Sequence, residues 1–311
     1  MSQNIRMHQL VLLWVFAAIS ACCQSSLVTL PETITKDVNE VNLFFTAVDR
    51  HGRFVDNLAS SQVDLRDQGL SPAAVHRFAV QTDEPLRVVI VIDASDSVTG
   101  QFDFEKAAAA SFLSIAMRPA IDEAMIVGFD RSVRVFQDWT NDIAKLRSGL
   151  QDVQVGGETA FYDALVYATN RLRGQDTSNR RLIVVITDGQ DTCSHTTAAA
   201  AIEEVLRVQA TVYEIDTSLR DTPTREWSGV VADAYKIMNK IAQASGGEVL
   251  PGGIKNLRSA LARIDRELRN QYLYAYTPAQ FVADGQFRRI QIKALHRHGV
   301  HIRTRRGYYS R

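Results

Sequence analysis

The chain has 311 residues, of which 46% are hydrophobic and 23% are charged. This length allows two domains, and the composition is typical of a globular protein and excludes a mainly disordered one. The 35 basic and 35 acidic residues give a formal net charge of zero, so no overall positive field indicates nucleic acid as a partner.

The first 22 residues have the pattern of an export signal. A short start containing Arg6 precedes an apolar run from Leu10 to Ala21, which is shorter than a membrane-spanning helix requires. The run ends in ISAC, which resembles a bacterial lipobox, and this resemblance implies that Cys22 becomes the lipidated first residue of the mature chain. Plain secretion after cleavage at a nearby small residue is the alternative. We therefore expect an exported envelope protein, with a lipid anchor as its contact with the membrane or released in soluble form.

Residues 23–85 are predicted to form an N-terminal β segment. The stretch from Val38 to Gln81 has a strand-like pattern, interrupted by turns at Asp49–Gly52 and Gln68–Pro72. Pro85 then breaks the chain before a strongly apolar run.

Residues 86–268 alternate between short apolar strands and helical stretches. Strands are predicted at Arg87–Ile92, Ala124–Phe129, Val133–Phe136, Leu182–Thr187 and Thr211–Ile215. Helices are predicted near Phe104–Met117, Asp142–Asp152, Ala160–Arg173, Thr197–Val208, Ala232–Ala244 and Leu257–Leu268. Strands that are apolar throughout are buried on both faces, so the pattern predicts an α/β fold with a doubly wound, mostly parallel sheet. The sequence AMIVGFDRSVRVF predicts a tight hairpin that adds one antiparallel strand.

Residues 269–311 return to a β pattern. QYLYAYTP is predicted to be one strand, and Phe287 to Tyr309 is predicted to be a hairpin about His298–Gly299. The two terminal β segments, of about 40 residues each, are too small to fold alone, so we expect them to form one small β-rich domain together. Between Phe287 and Arg311 there are eight basic and no acidic residues. We interpret this run as the solvated face of a hairpin, with contact to an anionic lipid or glycan as the alternative.

Oxygen-bearing side chains follow two predicted strands and a glycine-rich loop. Asp93, Ser95 and Ser97 follow the first strand of the α/β region, and Asp188 follows the fourth. Thr159 lies in the loop GGETA, which opens a helix. Ligands of open α/β sheets bind outside the carboxyl ends of the strands. Two carboxylates and three hydroxyls are hard donors, so the set predicts a site for Mg²⁺, or for Mn²⁺ or Ca²⁺.

Each motif has an ordinary structural explanation when it is taken alone. An Asp-Ser turn commonly caps the next helix, TDG is a common turn, and a threonine before a helix is a common cap. The three motifs in this order, each after a strand or a glycine loop, are much more specific.

The combined pattern resembles the metal-ion-dependent adhesion site of von Willebrand factor A-type domains. That site has the sequence DxSxS, then a threonine, then an aspartate, and the five residues above match it without departure. The resemblance covers about residues 86–268, and the flanking β segments are similar to bacterial exported proteins described from acidobacteria. The resemblance to the metal-ion-dependent adhesion site implies that the two serines and Thr159 contact the metal. It also implies that the two aspartates contact the metal directly or through water, and that one coordination position stays open for an acidic residue of a partner.

The resemblance implies a non-enzymatic module that binds a protein partner presenting an acidic group. The first alternative is a Mg²⁺-dependent hydrolase or phosphatase on a doubly wound sheet. Phosphatases of the haloacid dehalogenase type need a second carboxylate two residues after the first, where this sequence has Ser95, and no convincing later lysine is present. The second alternative is a β-rich envelope scaffold.

Four other residues near the predicted site have competing interpretations. Asp191 either assists the metal through a water or caps the helix that begins after Ser194. Cys193 and His195 are too close in sequence to favour a nucleophile and its base. Trp227 lies in a polar loop leaving a strand and is either an anchor for a partner or a core residue.

Overall fold

The computed structural model describes residues 40–80, 83–100, 102–176, 179–218, 229–252 and 256–310. The predicted export signal, Cys22 and Trp227 lie outside these ranges. The strands, numbered in chain order, are β1 (Val41–Val48), β2 (Val63–Asp67), β3 (Ala74–Val80), β4 (Leu86–Asp93), β5 (Glu123–Phe129), β6 (Val133–Thr140), β7 (Arg180–Thr187), β8 (Thr211–Asp216), β9 (Val249–Pro251), β10 (Tyr272–Thr277), β11 (Phe287–Ala294), β12 (His301–Thr304) and β13 (Gly307–Tyr309).

The α-helices of the described residues all lie between β4 and β10. They are α1 (Phe102–Ala116), α2 (Ile143–Asp152), α3 (Phe161–Arg173), α4 (Ala198–Val208), α5 (Gly229–Ser245) and α6 (Leu257–Arg269). Two of them begin at a side-chain cap, because Asp142 accepts from Ala144 N at 2.8 Å and Thr197 accepts from Ala200 N at 3.2 Å. Among the described residues, no helix combines the length and the apolar character that crossing a bilayer requires.

The central layer is a six-stranded sheet in the order β6-β5-β4-β7-β8-β9. All neighbours are parallel except β5 and β6, which form the predicted antiparallel hairpin. Val88 and Ile90 face α1, α2 and α6, whereas Val89 and Val91 face α3, α4 and α5. This alternation buries both faces of the sheet, and it confirms the predicted doubly wound α/β fold.

The remaining strands form two small sheets around a third core. Their orders are β12-β1-β10-β3 and β13-β11-β2, so each sheet contains strands from both ends of the chain. The core is aromatic, with the rings of Phe45 and Tyr272 stacked at 4.8 Å between centroids. The β-rich part expected from the two terminal segments is therefore present.

The predicted hairpin about His298–Gly299 is wrong in its pairing. β11 and β13 pair at the far end of the hairpin, where Phe287 lies opposite Tyr309. Closer to the turn, the two arms of the predicted hairpin separate. There β12 pairs with β1, and the second half of β11 pairs with β2. Local alternation predicts a strand but not its partner, and here the partners that complete the aromatic core are distant in sequence.

Candidate metal site

Two aspartates lie at the same edge of the central sheet. Asp93 is the last residue of β4, and Asp188 directly follows β7. Because β4 and β7 are adjacent and parallel, both carboxylates lie at the carboxyl ends of neighbouring strands. Gly189 follows with a positive φ of 78°, and a Cβ at this position would lie 2.0 Å from Sδ of Met238, so the turn after Asp188 requires glycine.

The Asp93 carboxylate is buried and is hydrogen-bonded by neutral donors. Its Oδ2 accepts from the Thr187 hydroxyl at 2.6 Å, and its Oδ1 accepts from Ser95 N at 2.9 Å. Burial raises the pKa of Asp93 to about 6, the hydrogen bonds from Thr187 and Ser95 lower it, and the charge of Asp188 raises it. Within the described ranges, no Lys or Arg forms an ion pair with Asp93 or Asp188.

The two serines extend the cluster from the buried carboxylate to the surface. Ser95 is buried and Ser97 is exposed, and their hydroxyl oxygens lie 3.0 Å apart. A single 3-10 turn at Asp96–Val98 follows Ser95 and places both hydroxyls on one side of the loop. The spacing of two residues thus produces one pair of neighbouring hydroxyls beside Asp93.

The glycine-rich loop is joined to the serine loop through the backbone. Gly156 N donates to Ala94 O at 2.7 Å, and Asp96 N donates to Gly157 O at 3.1 Å. Gly157 has a φ of 99°, a conformation that favours glycine. Thr159 follows and is buried. The structure therefore brings the loops that carry all five predicted residues together at one edge of the sheet.

Residues after Asp188 form hydrogen bonds with the glycine-rich loop at Thr159. Thr159 N donates to the Thr192 hydroxyl at 2.9 Å, and Thr192 N donates to Thr159 O at 2.8 Å. Asp191 caps a different helix from the one predicted, because its Oδ1 accepts from Phe161 N at 2.9 Å and Tyr162 N at 3.3 Å at the start of α3. The helix after Ser194 is capped by Thr197 instead. Asp191 thus caps a helix that precedes it in the chain, because the fold places the start of α3 beside it.

Three further residues, Thr187, His195 and Cys193, bear on the chemistry of the site. Thr187, which hydrogen-bonds Asp93, was missed by the sequence analysis, and its position directly before Asp188 at a strand end was the available signal. The His195 ring contacts the Asp163 carboxylate at 3.2 Å. Burial and the charge of Glu158 raise the pKa of the Cys193 thiol, which disfavours the nucleophilic thiolate.

The donor chemistry of the cluster fits a hard divalent cation. Two carboxylates and three hydroxyls are oxygen donors of the kind that Mg²⁺ and Mn²⁺ bind. The parts of the chain that are described contain no group of three or more His, Cys, Asp or Glu side chains placed to hold a metal. The buried Asp93 carboxylate beside Asp188 leaves negative charge that a cation would balance.

The sheet, the loops and the oxygen cluster define a class, that of α/β domains with a ligand site at the carboxyl ends of the strands. Residues 88–190, about a third of the chain, match the family model of the von Willebrand factor type A domain. This segment includes all five residues of the predicted site. The comparison with curated proteins found no match.

Three solved structures are reported as similar to this chain. One is an aerotolerance-related membrane protein from Bacteroides fragilis, with 22% identity over 59% of this chain and 98% of that one and a TM-score of 0.48. The second is a von Willebrand factor type A protein from Catenulispora acidiphila, with 14% identity, coverage of 88% and 75%, and a TM-score of 0.49. The third is the domain of the pilus tip protein Mfa5 from Porphyromonas gingivalis, with 14% identity, coverage of 60% and 95%, and a TM-score of 0.49.

Proposed function

We propose that the domain is a metal-dependent protein-interaction module. The observation that carries this proposal is the buried Asp93 carboxylate, which neighbours Asp188 and the hydroxyls of Ser95 and Ser97 and has no cationic partner among the described residues. A divalent cation would balance the charge that this arrangement concentrates.

The five residues would divide the work of holding the cation. Asp93 and Asp188 would supply negative charge, and the hydroxyls of Ser95, Ser97 and Thr159 would supply neutral oxygens. A cation held mainly by neutral donors keeps much of its positive charge, so it would attract a carboxylate of a partner. Ser97 is exposed, which places the outer side of the cluster within reach of a second protein.

We also propose that the domain has no catalytic activity. Ser95 occupies the position where a phosphatase of the alternative class would need its second carboxylate. His195 contacts Asp163, and the raised pKa of Cys193 argues against a nucleophile there. Export to the cell envelope, with Cys22 as the lipid-bearing residue, stays a proposal that rests on the N-terminal sequence pattern.

Affinity capture from an envelope extract tests the binding function. The immobilised chain is incubated with the extract in the presence of Mg²⁺, and again with a chelator, and retained proteins are compared. We expect a partner that is retained with Mg²⁺, lost with chelator and lost with Asp188→Ala. Asp96→Ala is the matched control, because Asp96 is an exposed carboxylate in the same loop and outside the predicted set. Equal retention with and without Mg²⁺ would contradict the proposal.

A further inference from the structure

A small cavity lies where the β-rich part meets the amino-terminal edge of the central sheet. Its lining includes Arg180 and Arg181, the first two residues of β7, and Arg305, which follows β12. The remaining lining residues are neutral, namely Phe44, Leu86, Leu182, Gln209, Thr211, Ser245, Leu268 and Gln271. Among the described residues, the lining thus contains three arginines and no aspartate or glutamate.

The size of the cavity limits what it can hold. It leaves about 10 Å³ for the centre of a water-sized particle, which is room for one water molecule or one small ion and not for an organic ligand. A neighbouring surface pocket of about 220 Å³ shares Leu86, Arg180 and Leu268 with the cavity. The cavity therefore lies close to the surface at this point.

The three arginines of the lining are buried, and their hydrogen bonds go to neutral groups. Arg180, Arg181 and Arg305 each donate to a backbone carbonyl oxygen, at 2.7, 2.7 and 2.8 Å respectively. A carbonyl oxygen satisfies a donor but does not balance a charge, and a buried charge without a counter-ion is costly. In the described part of the chain, Arg180 and Arg305 form no ion pair with a carboxylate.

Arg305 has an unused donor as well as an uncompensated charge. It is 5% exposed, and its buried Nε has no hydrogen-bond acceptor among the described residues. Burial lowers the pKa of Arg305 to about 10, and the neighbouring charge of Arg181 acts in the same direction. Asp67 acts against both, but its Oδ2 already accepts from the hydroxyls of Tyr276 and Tyr308, each at 2.9 Å. A negative ion at Nε would satisfy the donor and balance the charge.

We propose that this cavity binds one small inorganic anion, such as chloride. Nε of Arg305 would be its free donor, and the charges of Arg180 and Arg181 would add to an attraction that is strong because the site is buried. A water molecule would give Nε an acceptor but no negative charge. The anion would join the β-rich part to the start of β7. Asp93 and Asp188 lie at the opposite edge of the central sheet, so the anion site is separate from the candidate metal site.

Thermal melts of the full chain test the proposal. Chloride replaces methanesulfonate, a bulkier organic anion, at constant ionic strength and with a chelator present, so that neither charge screening nor metal binding contributes. We expect the melting temperature to rise by about 3 °C for each tenfold increase in chloride above its dissociation constant. Arg305→Met removes the charge and the donor and should abolish this rise. Arg306→Met is the matched control, because Arg306 is an exposed arginine outside the lining, and it should keep the rise.

Diffraction from the original chain gives a second readout, which does not depend on the folding of a variant. Crystals grown in bromide should show an anomalous peak beside Nε of Arg305. A melting temperature that does not respond to chloride, or an equal loss of the response with Arg306→Met, would overturn the proposal. Electron density at Nε without an anomalous bromide peak would also overturn it, in favour of a bound water molecule.

Discussion

The Thr187 hydroxyl donates a 2.6 Å hydrogen bond to Oδ2 of Asp93, although the two residues are 94 positions apart in the chain. The bond joins the ends of β7 and β4 and holds the orientation of the buried carboxylate. Side-chain hydrogen bonds from Thr187 and from Ser95 both lower the pKa of Asp93, whereas burial raises it. The candidate site therefore depends on a residue outside the five that the sequence pattern identifies.

Thr187→Val should destabilise the metal-free chain by about 1–3 kcal/mol, because it removes a donor to a buried carboxylate while keeping the side-chain shape. Urea denaturation measures the change in the free energy of unfolding. Thr187→Ser keeps the hydroxyl and should lose much less. A valine variant as stable as the original chain would show that the hydrogen bond contributes nothing.

Asp93→Ala and Asp188→Ala should fold, but their affinity for Mg²⁺ or Mn²⁺ should fall by about a hundredfold or more, because a divalent cation would be left poorly compensated. Thr159→Ala removes a neutral donor and should cost about tenfold. Calorimetric titration and thermal melts with and without metal provide the measurements.

Asp96→Ala is again the control and should bind metal like the original chain. The metal proposal fails if the original chain shows no metal-dependent change in melting temperature, or if both aspartate variants still bind metal normally.

Asp191→Ala should destabilise the chain by about 1 kcal/mol, because two N–H groups at the start of α3 lose their acceptor. Metal affinity should change little, since Asp191 is committed to the helix. Comparison with Asp191→Asn, which keeps an acceptor oxygen, isolates the cap. A loss of metal affinity as large as that of Asp188→Ala would instead assign Asp191 to the metal.

Asp122 should contribute to the acid sensitivity of the fold. Burial raises the pKa of this carboxyl, but hydrogen bonds from Arg118 and from Leu86 N outweigh it, and the pKa is lowered overall. A lowered folded-state pKa stabilises the fold above the unfolded value of about 3.9 and loses that contribution as the pH falls through the folded value. In Asp122→Asn, stability measured across acid pH should fall less steeply. An unchanged slope would exclude this carboxyl as a cause.

Cys22→Ala should leave an unprocessed or misprocessed precursor if the ISAC sequence directs lipidation. Intact-mass measurement on the membrane fraction should show a mature chain that begins at Cys22 and carries lipid. An unmodified chain beginning after Cys23 would exclude the lipoprotein while leaving export in place.

Local sequence determined the elements of the α/β part and the identity of the candidate ligands. The apolar run into Asp93 predicts a strand buried on both faces, because burial on two sides removes the usual alternation. The spacing of Ser95 and Ser97 and the glycines before Thr159 are local requirements of tight loops. These features depend on residues within a few positions of one another, so a pattern of neighbours suffices to predict them.

Only the tertiary structure decided which distant groups meet. The order of the central sheet places β7 beside β4, and this brings Thr187 to Asp93 and Asp191 to the start of α3. The turn between β11 and β12 predicts a hairpin of these two strands. In the folded chain β11 pairs with β2 and β12 pairs with β1, and this pairing completes the aromatic core. Strand partners are chosen by the packing of the whole core, and that energy is a sum over residues far apart in the chain. No local pattern contains it, and for this reason the separation of the two strands became visible only in the folded chain.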